Sequence, residues 1–195
     1  MPRVKRVLQS TYPYHVTNRT VNKEPFPVKM DTLWEVFATR LHFCSFAFKI
    51  EIHAFVLMTN HYHLIVRCPE NNLNKFMNYF NREISKEINM LTAKINQNFG
   101  SRYYSTVIND PRYYLTVYRY VYRNPVDAGL SDRIENYPFS SFQYVIGKKI
   151  WEFPVFDYPI VESKNYLDLN WLNKEYKTEE KKKIRTAMKR PYFEL

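Results

Sequence analysis

Residues 46–67 constrain the fold most. Two apolar runs, FAFKIEIHAFVLM at 46–58 and HYHLIVR at 61–67, are separated only by Thr59 and Asn60. Runs this rich in β-branched and aromatic residues read as strands, and so short a connection pairs them antiparallel as a hairpin. Helical patterns flank the pair. Residues 30–42 place Leu33, Trp34, Phe37, Ala38 and Leu41 at steps of three and four, with Asp31 as the expected cap. Residues 72–96 repeat that spacing through Leu73, Phe76, Met77, Phe80, Ile84, Ile88, Leu91 and Ile95, with Gly100 as the stop.

Residues 12–20 alternate as a first strand, and 102–108 read as a short last one. Asp110-Pro111 then starts a helix that is expected to end near Asn124-Pro125, because the residue before proline avoids helical geometry. The order β-α-β-β-α-β predicts an α+β fold with a ferredoxin-like (split βαβ, RRM-like) antiparallel sheet and helices on one face. The strand at 61–67 would lie centrally in it. Residues 1–150 are expected to form one domain. Residues 151–195 form a proline-broken extension, WEFPVFDYPIVES, followed by a basic, mostly helical tail.

Composition narrows the class of partner. The chain has 195 residues, 45% of them hydrophobic, which suits a globular core. Aromatics reach 17% and the net charge is +10, a combination that fits phosphates meeting cations and bases stacking on rings. Two cysteines, Cys44 and Cys68, make no disulfide framework or zinc pattern. No apolar run of membrane-spanning length and no signal-peptide core occurs, so a cytoplasmic protein is expected. Three glycines leave no phosphate-binding loop.

Chemistry concentrates at two places. His61 and His63 are i and i+2 on a strand, so their imidazoles share a face, with Tyr62 and Leu64 on the other. Neighbouring neutral imidazoles make half of a divalent-metal site. Some sixty residues later, Tyr120 and Asn124 stand one helical turn apart. A tyrosine hydroxyl can act as a covalent nucleophile and an amide carbonyl as a metal ligand. Tyr113, Tyr114, Tyr118 and Tyr122 share that helix and compete with Tyr120 for the role. His15 and His53 read as packing or hydrogen-bonding histidines, and His42 as a complement to a helix dipole. Arg19, Arg67, Arg102 and Arg119 are candidate DNA-phosphate contacts.

The segments HVTNRT (15–20), AFVLMTNHYHLIV (54–66), GSRYYSTVI (100–108), RYVYRNPVDAGL (119–130) and YPFSSFQYVIG (137–147) together resemble the single-tyrosine transposases of the HUH endonuclease superfamily, REP-associated tyrosine transposases above all. The resemblance implies that His61, His63 and Asn124 bind a divalent metal, Mg²⁺ or Mn²⁺, and that Tyr120 is the catalytic nucleophile. It further implies cutting of single-stranded DNA beside hairpins through a covalent 5′-phosphotyrosine link. Relatives work as dimers with exchanged tyrosine helices or as monomers; the short 97–101 loop favours a monomer over a homodimer here. Two other readings stay open: a catalytically silent nucleic-acid-binding module with an RRM-like sheet, and a phosphodiesterase in which Tyr120 is idle.

Overall fold

The computed structural model describes residues 6–195 apart from residue 96 and residues 158–166. Chain order runs β1 (Tyr14–Arg19), α1 (Met30–Ala47), β2 (Glu51–Leu57), β3 (His61–Arg67), α2 (Leu73–Thr92), β4 (Tyr104–Val107) and α3 (Pro111–Asp127). The shorter helices α4 (Phe142–Val145), α5 (Leu169–Asn173) and α6 (Thr178–Ala187) follow. The strands form one antiparallel sheet in the order β2-β3-β1-β4, the split βαβ arrangement expected from the sequence. β3 is an interior strand, paired to β2 and β1. The Thr59-Asn60 turn closes through a 2.8 Å bond from the Met58 amide to the His61 carbonyl.

Helices cover both faces, not one. Tyr14, Val16, Phe55, Tyr62 and Leu64 point into a core shared with α1 and α2. Val56 and Ile65 point the other way, into a second core with α3, Phe142 of α4, Leu172 of α5 and Ile184 of α6. The β-α-β-β-α-β order accounts only for α1 and α2 on one face; the second layer is built by α3 and by the short helices after it, which that order does not place. The segment 178–193 packs on that layer. Thr106 donates to the carbonyls of Met188 (2.7 Å) and Arg190 (2.9 Å). Val107 exchanges backbone bonds with Pro191 (2.8 Å) and Phe193 (2.9 Å), extending the sheet beyond β4. The proline-broken stretch expected at 151–163 is described only to residue 157; its remainder lies outside the described residues.

Several boundaries differ from expectation, each for a local reason. α1 continues through Phe46 and Ala47, and the chain reverses at Lys49, whose φ of 49° is left-handed; β2 therefore starts at Glu51. Asp31 is not the cap: Lys29 occupies that position, and Asp31 lies in the first turn, where its charge favours the helix dipole. α2 ends at Thr92 because Ala93 turns left-handed, leaving Leu91 and Ile95 exposed. Gly100 is no helix stop. A Cβ there would come within 3.2 Å of the Thr20 carbonyl, so the residue serves a close approach of two backbones. At α3, Asp110 caps as expected, accepting from the Arg112 amide at 2.8 Å.

Candidate active site

Strand alternation delivers the two histidines to the α3 side. Tyr62 and Leu64 fill the opposite core, so His61 and His63 share the face that α3 crosses, with ring centroids 5.0 Å apart. His15 on β1 joins them. Its Nε2 lies 2.9 Å from His63 Nδ1, and the rings stack. This agrees with the hydrogen-bonding role expected for His15. His53 is set apart: a bulge between Ile52 and Ala54 turns it toward Tyr114 and the Phe156 carbonyl.

Hydrogen bonds fix which nitrogen of each imidazole is available. Asn60 donates through Nδ2 to the Lys23 carbonyl at 2.6 Å, so its Oδ1 must be the atom facing His61. His61 Nδ1–H then donates to that oxygen, also at 2.6 Å, and Nε2 keeps its lone pair. For His63, donation from Nδ1–H to His15 likewise leaves a lone pair at Nε2. That nitrogen is buried and has no hydrogen-bond partner among the described residues. Two imidazoles oriented through Nδ1 and open at Nε2 suit a metal ion, so the residues present fit one. Burial keeps them neutral. It lowers His15 to about 3 and His61 to about 4, the second with help from Arg19. His63 is held well below its ordinary value, first by burial and then by its histidine neighbours. Among the described residues, no group of three or more His, Cys, Asp or Glu side chains is placed to hold a metal ion.

α3 carries the tyrosines. Tyr114, Tyr118 and Tyr122 pack along one side of it, with centroids 5.9 and 4.7 Å apart, and the Tyr122 hydroxyl meets Ser141. Tyr113 packs on Phe193. Tyr120 alone of the five stands edge-on to His63 (5.8 Å) and His15 (6.4 Å). It is 7% exposed. Burial raises its hydroxyl pKa; the nearby positive charge of Arg185 of α6 opposes the rise, and so does that of Arg19.

Asn124 lies one turn on, and the helix does not stop there. It runs through Pro125 to Asp127. Proline offers no N–H to the Val121 carbonyl. The Asn124 amide compensates, donating to the carbonyls of Tyr120 (2.7 Å) and Val121 (3.4 Å). Those bonds engage Nδ2 and leave Oδ1 as an acceptor directed elsewhere.

The four arginines singled out in the sequence separate. Arg19 is exposed, opposite His61 in the β1–β3 register. Arg102 is exposed at the far side of the sheet. Arg67 is held by Glu51 at 2.8 Å and by the Thr11 carbonyl. Arg119 is buried, bonded to the Lys174 carbonyl, with its guanidinium 4.2 Å from the Tyr176 ring centroid and 5.2 Å from that of Trp171. The sequence reading missed Asn60, whose signal was only its place beside His61, and Arg185, which no local pattern marks.

A family model for IS200-like transposases matches residues 8–124, a span that holds β1 through Asn124. The chain belongs to this family. Of solved structures, a REP-associated tyrosine transposase bound to a REP hairpin is similar over 82% of this chain and 96% of its own, at 20% identity and a TM-score of 0.63. The fold of this transposase is therefore that of the tyrosine transposases. A candidate transposase from Deinococcus radiodurans R1 matches more loosely, at 14% identity and a TM-score of 0.43, over 62% of this chain and 95% of its own. No curated protein matches the chain.

Proposed function

We propose that this transposase cuts and rejoins single-stranded DNA beside a hairpin, using Tyr120 as nucleophile and a divalent cation held by His61, His63 and Asn124. The observation that carries the reading is the contact of Tyr120 with His63, whose buried Nε2 has no partner among the described residues. The cation, Mg²⁺ or Mn²⁺ for two imidazoles and an amide oxygen, would polarise the scissile phosphate and offset its developing charge. The Tyr120 oxygen attacks phosphorus, the bond to the 3′ oxygen breaks, and that oxygen leaves with a proton as a free 3′-hydroxyl. The phosphotyrosine link preserves the bond for rejoining. The positive charges of Arg185 and Arg19 favour the phenolate. The hairpin preference is supported by the REP hairpin in the similar structure.

The decisive experiment is incubation with hairpin-forming single-stranded DNA, with and without Mn²⁺, followed by denaturing gels. A metal-dependent protein–DNA adduct that disappears in Tyr120→Phe is expected. Cutting that survives in Tyr120→Phe would instead assign the chemistry to water. Among the described residues α1 and α2 cover one sheet face and α3 the other, which favours the enzyme over a silent module that stacks bases on an open sheet.

A further inference from the structure

On the reverse of the sheet, between β1, α2 and the loop that follows α2, lies an open hollow of about 250 Å³. Asn18 of β1 lines it and is only 3% exposed. Its Oδ1 accepts from the Arg19 amide at 3.0 Å, which fixes the amide orientation. The Nδ2 group thus presents two N–H donors, with no acceptor for them among the described residues. Its neighbour Asn81 differs: it accepts from the Tyr62 hydroxyl and donates to the Met77 carbonyl, so both ends are engaged. Phe99 supplies an aromatic wall, and the exposed amides of Asn78 and Gln97 stand at the rim. Arg82 and Arg102 bring guanidinium groups to the mouth. Arg102 makes no ion pair among the described residues.

A hollow of this size with an aromatic wall, amides that can bond the edge of a ring, and cations at its mouth matches one nucleotide. We propose that the hollow holds a single unpaired base of the DNA substrate and sets the transposase's sequence preference next to the cut. The inference rests on the DNA-cutting reading above. The position suits the role: Asn18 falls between Thr17 and Arg19, whose partners across the strand pair are His63 and His61. A base gripped on one face is therefore tied to the strand segment that faces the histidines on the other. Neither histidine nor Tyr120 is among the hollow's lining residues.

The test scans hairpin DNA with single-stranded flanks, replacing one flanking nucleotide at a time by an abasic site. Affinity is read by fluorescence anisotropy and adduct formation in Mn²⁺ on gels. Asn18→Asp keeps the Oδ1 acceptor and removes both donors; Asn78→Ala with Gln97→Ala trims the rim without touching the core. The wild type is expected to lose at least tenfold in affinity at one abasic position, and both variants to lose most of that penalty. Absence of any sensitive position, or an equal penalty in wild type and both variants, overturns the proposal. So does displacement of the hairpin by free nucleoside monophosphate that is equally strong in wild type and variants. Adducts without a base-specific penalty sink the hollow's assignment alone. A penalty lost in the variants, with no adduct from any protein, sinks the nuclease reading alone.

Discussion

At the scale of single residues, the candidate site depends on groups that stand behind the histidines. The Asn60 amide, clamped by the Lys23 carbonyl, sets the tautomer of His61. Losing a partner of this kind weakens metal affinity by about 10- to 100-fold. Asn60→Ala should therefore require about that much more Mn²⁺ for half-maximal adduct formation, with thermal stability near that of the wild type. Proton uptake gives a second prediction. Burial lowers His53 to about 4 and His15 to about 3, against about 6.5 in an unfolded chain. Below pH 6.5 the unfolded chain gains protons that the folded one refuses, so stability is full above 6.5 and falls as the pH drops toward 4. At the limit these shifts amount to about 3 kcal/mol for His53 and about 5 kcal/mol for His15. Urea unfolding followed from pH 7.5 to 4.5 should show the decline, and a flat profile would contradict it.

At the scale of elements, what could be read from the sequence was whatever repeated with a period. The spacing along α2 follows from one side being buried; β3, covered on both faces, was legible instead from its apolar composition and the short turn before it. The passage of α3 through Pro125 could not be read this way. Local preference says stop, and only the Asn124 side chain, bonded back to Tyr120 and Val121, shows why the helix goes on. α6 was hidden for another reason. Its charges suggest a solvated helix, while just Ile184 and Ala187 are buried, and its anchor to α3 is the ion pair of Lys181 with Asp127 at 2.9 Å. Phe193, fully buried beyond α6, fastens the segment to β4. Phe193→Ala should cost about 3–5 kcal/mol. Calorimetry showing a loss below 1 kcal/mol would mean that this segment is not part of the cooperative core.

At the scale of the whole molecule, Tyr120 and the histidines meet within one chain, since α3 lies on the sheet of its own protomer. We expect a monomer to carry a complete site. An equimolar mixture of His63→Ala and Tyr120→Phe proteins should then form no adduct; recovery of a quarter or more of wild-type yield would mean that helices are exchanged between subunits. The same geometry has a consequence in time. The charge of Arg185 is brought near the Tyr120 hydroxyl only when α6 has docked, and α6 is held in place by residues 188–193. A nascent chain still threading those residues through the ribosome already has both histidines and the tyrosine in the open, but not the guanidinium beside them. During synthesis the half-made transposase thus passes close to cellular nucleic acid before the Tyr120 hydroxyl has been brought under that charge.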